Sequence, residues 1–417
     1  MNKKSIKELK LSAREDRDAA YTLGRHYYLE KKKYRKAVSW FRLAAEQGNS
    51  DAQCFLGYCY AEGTGVKQDF NLAAGWYQKS AEQGNDDGQF NLGLCYEYGD
   101  GVEQSFKAAV EWYTKAAAQE NIDAIFCLAH CYDHGNGVEQ SYERAYQLYK
   151  KAAKALDDEA QYFIGEFHFY GDYVKQDYQK AVYWYRKAAE QNYPEAEFDL
   201  GYCYENGLGV PKDEAKSFYW YKRAAEHNHL KGMFNLGCCY DTIENFKMAS
   251  FWYKKAAKLG HAKAMYNLGC CYDSGTGVRK NMRKAVFWWK KAVEHSIPEA
   301  GYNLGFSYRD GLGVKKNEDK AFHYFSLAAE QGDSDAAADL GYCYDIGIGT
   351  PVNMEQAIIW YQRAASQNVA RAQYNLGCCY EAADGVSKDM DQAMYWYQKA
   401  AMQGNESAKA ALERLNP

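Results

Sequence analysis

A Leu-Gly pair returns along this chain at nearly fixed intervals, and no other feature restricts the possible folds so severely. It stands at Leu23-Gly24, Leu56-Gly57, Leu92-Gly93, Leu200-Gly201, Leu236-Gly237, Leu268-Gly269, Leu304-Gly305, Leu340-Gly341 and Leu376-Gly377. Leu128-Ala129 and Ile164-Gly165 fill the two remaining places. The interval is 36 residues, except for 33 after Gly24 and 32 after Gly237. A self-similar period of this length marks a solenoid, in which a unit cannot bury its apolar face alone and must stack on its neighbours. The eleven positions number repeats one to eleven.

Each repeat reads as two helices. In repeat two, Asp51 to Ala61 carries Ala52, Leu56 and Tyr60 on one helical face. Gly63-Thr64-Gly65-Val66 breaks that helix, because glycine adopts dihedrals that a tight helix–helix turn demands. The spacing predicts a second helix from an Asp69 N-cap, burying Ala73, Trp76, Tyr77 and Ala81 and stopping at Gly84. The small residues, including the mid-helix glycine, are expected to let paired helix axes approach to roughly 8–10 Å. The domain reading is one array: residues 1–16 an N-terminal cap, 17–404 the repeats, and 405–417 a C-terminal capping helix with Ala408 and Leu412 on the apolar face. Capped ends point to a monomer.

Composition agrees. Thirty-nine tyrosines and ten tryptophans are too many for a coiled coil, and five prolines are too few for a linker-rich chain. A net charge of −4 supplies no global basic field for nucleic acid. No apolar run is long enough for a membrane span or a secretory signal, so no membrane insertion is expected, although a processed secreted chain would read the same way. Thirteen cysteines, an odd number, argue against a complete disulfide framework, and cytoplasm is the expected compartment.

The string A-x-x-x-L-G-x-x-Y, then G-x-G-V, then A-x-x-W-Y-x-K-A-A resembles the Sel-1-like repeat, a branch of the tetratricopeptide superfamily. Ala372 to Tyr380 with Trp396-Tyr397-Gln398-Lys399-Ala400-Ala401 shows both halves, with Ala383 in place of the first loop glycine. The resemblance covers about Asp18 to Leu412. It implies an all-α, right-handed solenoid of about eleven helix-turn-helix repeats with capping half-repeats, and an adaptor role through protein or peptide partners. Repeats one and seven lack the G-x-G-V loop. Repeat four has Ala129 for glycine and Leu148 for tryptophan; repeat five has His168 and a Gly171-Asp172-Tyr173 loop expected to differ in shape.

Little in the chain points to chemistry. The recurring glycine pairs sit between helices, not after a strand, and no G-K-[ST] follows, so they do not form a phosphate loop. Cysteine occupies the second position after the glycine at Cys59, Cys95, Cys131, Cys203, Cys239, Cys271, Cys343 and Cys379, preceded by another at Cys238, Cys270 and Cys378. Equivalent residues in neighbouring repeats lie too far apart for a disulfide, and a second-helix partner is lacking, so small buried thiols are the expectation. Cys127, His130, Cys131 and His134 project from one side of a helix with ligand types that suit zinc, but a single straight helix cannot close a tetrahedron around it. A metal- or thiol-dependent enzyme or sensor centred on repeats four and five is the alternative to a scaffold, and a structural spacer a third reading. The expectation is no catalysis and no cofactor.

In tetratricopeptide-like arrays the first helices line the concave surface, which the resemblance carries over here. The columns facing away from the buried stripe hold aromatics three residues before the glycine, such as Phe90, Tyr266 and Tyr374. Two before it stand Asn91, Asp199, Asn235, Asn267, Asn303, Asp339 and Asn375. Four after it stand Glu97, Asp133, Glu205, Asp241, Asp273, Asp345 and Glu381. Asparagine both donates and accepts, so a ladder of it suits an extended backbone, and a line of acids favours a net-basic polypeptide. These residues are the candidate peptide-binding site.

Overall fold

The computed structural model describes residues 3–415, with side chains from Ile6; the outermost cap residues, 1–2 and 416–417, lie outside the described residues. All secondary structure among the described residues is helical. The chain is an all-α solenoid of helix-turn-helix repeats, flanked by single helices Lys3–Ser12 and Glu406–Leu415. It divides into two compact units, residues 1–217 and 218–417, with the boundary inside the second helix of repeat six, Glu214–Glu226.

Repeat two shows how sequence makes the unit. Its first helix is Ser50–Glu62, opened by Asn49, whose side chain accepts from the Ala52 amide at 2.7 Å. Gly63 closes it in the left-handed region at φ +66°. The second helix is Phe70–Glu82, capped by Asp69, which accepts from the Leu72 amide at 3.0 Å. Each cap satisfies an amide that the helix leaves without an intrahelical partner. In repeats one and seven the loop is replaced differently. The first helix of repeat one, Arg17–Arg25, runs on into a π-helical turn, His26–Glu30. In repeat seven Leu230–Thr242 and Phe246–Lys258 are joined through Glu244, at φ +58°.

The mid-helix glycine has a more specific role than bringing axes together: it seats a ring of the second helix. A Cβ on Gly341 would lie 2.6 Å from Tyr361 Cδ1, far inside contact distance. That ring is fully buried, as are Tyr113, Tyr149, Tyr185, Tyr253 and Tyr397 at the same register. The second loop glycine instead lets the loop lie on the preceding repeat: a Cβ on Gly101 would come 2.1 Å from Phe70 O. In repeat five Tyr173 takes this place, keeps a left-handed φ of +60°, and donates its hydroxyl to Glu143 at 3.3 Å. The loop differs from its equivalents in that side chain and in a tight Val174 N–H to Asp172 O contact of 2.6 Å.

Within each unit, first helices pack on the second helices of their own repeats, and those on the next repeat, as Ser50–Glu62 does on Phe70–Glu82 and Phe70–Glu82 on Asp86–Tyr98. Successive first helices also touch directly, as in repeats two and three and in repeats ten and eleven. The seam is sealed by glutamines. Gln53 is buried and donates to Ala45 O, while Gln83 Nε2 donates to Gln53 Oε1 at 2.7 Å. Gln119–Gln89, Gln191–Gln161 and Gln403–Gln373 repeat the contact at 2.9, 3.2 and 2.8 Å. These amides satisfy carbonyls at helix C-termini that packing would otherwise strand away from water.

Candidate functional site

The candidate residues lie on the first helices, but neighbouring side chains engage many of them. The buried tyrosine points its hydroxyl at the acid four residues after the glycine. Tyr113 donates to Glu97 at 2.5 Å, Tyr361 to Asp345 at 2.9 Å and Tyr397 to Glu381 at 2.8 Å. Glu381 also pairs with Arg414 of the capping helix at 2.7 Å, which holds its carboxyl below the ordinary range. A hydrogen bond to a carboxylate is among the stronger ones available to a buried hydroxyl. These three acids therefore hold the repeat together.

Repeat five has Phe169 where the acid belongs, and Glu166, three positions earlier, receives the Tyr185 hydroxyl instead. Burial pushes the Glu166 carboxyl above its ordinary pKa. In repeat four the acid is present as Asp133, yet the buried Tyr149 hydroxyl has no partner. This repeat has Ala129 in place of the mid-helix glycine that seats the ring elsewhere. Asp133 is half-buried, 3.8 Å from His134 Nδ1, and burial raises its pKa.

Repeats seven and eight release their acids altogether. The Tyr253 hydroxyl turns to Cys238 Sγ at 3.6 Å, and Trp289 replaces the tyrosine in repeat eight, so no phenol is available. Asp241 and Asp273 accept no side-chain hydrogen bond and form no ion pair among the described residues. Together with Asn267, Tyr253 and Tyr266 they line a recess of about 490 Å³ that also exposes Cys270 and Thr276. This recess brings three predicted site residues, Asp241, Asn267 and Asp273, into one place within the second unit.

The other candidates are dispersed. Asn91 donates to Asp87 O of its own helix at 2.7 Å, and Asn303 reaches toward Cys270 Sγ at 4.0 Å. Asp199 accepts from the Tyr162 hydroxyl at 3.0 Å. Asp339 is buried and lies 2.9 Å from the Arg371 guanidinium, which also contacts Asp335 at 2.9 Å and the Tyr302 hydroxyl at 3.1 Å. Burial still leaves the Asp339 carboxyl raised, against the pull of Arg371 and Arg309. Asn235 and Asn375 are half-buried, and Glu205 is exposed on repeat six. The aromatic column leans on the buried rings: Phe90 on Tyr113, Phe234 on Tyr253 and Tyr374 on Tyr397, with centroids 6.2, 6.0 and 5.7 Å apart.

Among the described residues no disulfide joins any of the thirteen cysteines. Cys59, Cys131, Cys203, Cys343 and Cys379 are buried, and burial pushes each thiol up to about 12. In repeat four the His130 and His134 rings stack 4.1 Å apart, His134 Nδ1 lies 3.1 Å from His130 O, and Cys131 is buried. Among the described residues, no group of three or more His, Cys, Asp or Glu is placed to hold a metal ion.

Sequence reasoning missed the tyrosine–acid clamp and the Arg371 network. The clamp left one trace, since repeat five loses the usual acid and gains Glu166 on the same helix face. The Arg371 network left none, because Tyr302 and Arg371 are 69 positions apart.

Comparison with known proteins accords with this architecture. The Sel1 repeat model matches residues 17–49, 50–85, 86–121, 122–155, 158–193, 194–229, 230–261, 262–296, 298–333, 334–369 and 370–405. A protective antigen of uropathogenic Escherichia coli strains, c5321, with an SLR fold, is 31% identical at a TM-score of 0.82, over 98% of this chain and 90% of that one. A Sel1 repeat protein from Oxalobacter formigenes is 32% identical at a TM-score of 0.50, over 66% of this chain and 96% of its own. No functionally curated protein matches the chain. With eleven matched repeats spanning nearly the whole sequence, and the glycine-seated ring recurring in them, the chain belongs to the Sel1-repeat family.

Proposed function

We propose that this Sel1-repeat scaffold, without catalysis of its own, holds an extended, net-basic polypeptide along its first helices, anchored at repeats seven and eight. The observation that carries the reading is the recess of about 490 Å³ in which Asp241 and Asp273 are left unengaged beside Asn267 and two tyrosines. Elsewhere in the same unit Tyr361, Arg371 and Arg414 engage Asp345, Asp339 and Glu381, whereas the carboxylates of Asp241 and Asp273 are left to a partner. Two carboxylates beside the half-buried Tyr266 ring suit a lysine or arginine side chain, whose stem packs on that ring while its head meets the acids. Asn267 has both donor and acceptor to offer the partner's backbone. Thirteen cysteines outside disulfides suit a compartment that keeps thiols reduced, and a cytoplasmic location is part of the proposal.

Peptide display against the whole chain tests the site. Wild type is expected to enrich lysine- and arginine-bearing sequences, and the Asp241→Asn/Asp273→Asn variant to lose that enrichment. The same peptides selected equally by both proteins would move the site elsewhere and sink the reading.

A further inference from the structure

Repeats eight and nine carry a second recess, on their loops and the helices beside them, with the opposite charge. Two adjoining hollows share Val314 and Lys315. One, of about 570 Å³, is lined by Arg283, Gly311, Gly313, Val314 and Lys315. The other, of about 430 Å³, adds Tyr308, Lys316, Asn317 and Lys320. All these residues belong to the second unit.

The repeats themselves supply the control. After the loop valine, other repeats carry Lys67-Gln68-Asp69, Glu103-Gln104-Ser105, Glu139-Gln140-Ser141 or Lys175-Gln176-Asp177. Repeats eight and nine alone place two cations there, Arg279-Lys280 and Lys315-Lys316, and follow them with neutral caps, Asn281 and Asn317. The next helices add Arg283, Lys284 and Lys320. Lys290 and Lys320 both lie over the Tyr308 ring, 5.3 and 5.4 Å from its centroid, so they converge on the wall of the smaller hollow.

Most of these cations lack a carboxylate partner. Lys316 pairs with Glu318 at 2.9 Å, but Arg283, Lys284, Lys290, Lys315 and Lys320 form no ion pair among the described residues. Like charges gathered in a recess repel one another, and a bound anion relieves that repulsion. The lining offers little apolar contact beyond Tyr308 and Val314, which disfavours a hydrophobic acidic motif and favours a compact, strongly charged group. Lysine as a point charge and arginine as a fork are the usual partners of phosphate.

We propose that the paired hollows bind a ligand presenting adjacent phosphate groups, with Arg283, Lys315 and Lys320 as its principal contacts. The site is separate from the acidic recess and uses different residues of the fold.

The test is calorimetric titration of the full chain with inorganic tripolyphosphate at fixed ionic strength. Wild type is expected to bind stoichiometrically, and Arg283→Ala/Lys315→Ala to weaken binding at least tenfold and flatten its salt dependence. Lys67→Ala/Lys388→Ala, at equivalent loop sites elsewhere, is expected to leave it unchanged. The substituted side chains are exposed, and unchanged melting temperatures verify that the variants fold. A phosphorylated peptide binding with the same residue dependence would place the phosphates on a protein, and tripolyphosphate alone on a free ligand; both support the site. No binding by wild type, equal binding by the two variants, or equal affinity for oligoglutamate would overturn it.

Discussion

Tyr149 and Tyr361 occupy the same register in repeats four and ten, yet only Tyr361 has a partner for its hydroxyl. Removing a satisfied buried hydroxyl costs about 1 kcal/mol, whereas removing an orphaned one costs little or stabilises. Tyr361→Phe is therefore expected to lower stability by about 1 kcal/mol and Tyr149→Phe to leave it unchanged or raise it, as urea midpoints would show. The cysteines allow a second check. Thiols pushed up to about 12 hold almost no thiolate near neutrality, so Cys59, Cys203 and Cys343 should resist iodoacetamide until the chain unfolds. Intact mass before and after denaturation reads this directly, and rapid native alkylation at those residues would contradict the burial. At this scale the residue columns were legible because each recurs at a fixed period. Which acids a tyrosine engages was not, because the clamp joins two helices, and it fails at Tyr149 although Asp133 is present.

Helix ends set the next level. The first helix of repeat eight, Ala262–Ser274, is capped by His261, whose Nδ1 accepts from the Ala264 amide at 3.2 Å while its ring stacks on Phe234. Burial, helped by Lys263 and Lys231, lowers its pKa below the ordinary histidine value. The neutral ring is thus favoured in the folded state, and the unfolded chain takes up the proton first. The stabilisation is complete above about pH 6.5 and is lost as pH falls through that value toward the lower folded pKa. His261→Asn keeps an acceptor at every pH, so it is expected to flatten the dependence of stability on pH between about 5 and 7. An unchanged slope would show that the cap is not the titrating element. Loop geometry gives a further expectation: Gly101→Ala adds a Cβ 2.1 Å from Phe70 O at φ +74°, and should destabilise by about 2 kcal/mol or more, measured by urea denaturation. Helix number, caps and loop glycines were all readable from the period. The ring seated under the mid-helix glycine was not, because helix spacing alone predicts only close approach.

At the scale of the whole molecule, a net charge of −4 conceals a division between helix sets. The first helix of repeat six, Pro194–Asn206, carries Glu195, Glu197, Asp199 and Glu205 without a lysine or arginine. The second helix of repeat seven, Phe246–Lys258, carries Lys247, Lys254, Lys255 and Lys258 without an acid. The two proposed sites share no residue, so their variants should act independently. Asp241→Asn/Asp273→Asn is expected to leave tripolyphosphate binding intact, and Arg283→Ala/Lys315→Ala to leave basic-peptide capture intact. Cross-effects in either direction would argue for one extended site.

The sequence by itself determined the repeat, the helix pairs and their caps, because each depends on local dihedrals and a fixed apolar period. It also determined the thiol column and the lines of asparagine and acid. Only the tertiary structure decided which of those polar groups remain available to a partner. Availability depends on contacts between helices and between repeats, such as Tyr361 with Asp345, Arg371 with Asp339, and Arg414 with Glu381. Side chains far apart along the chain meet there, and no periodicity in the sequence records whether they do.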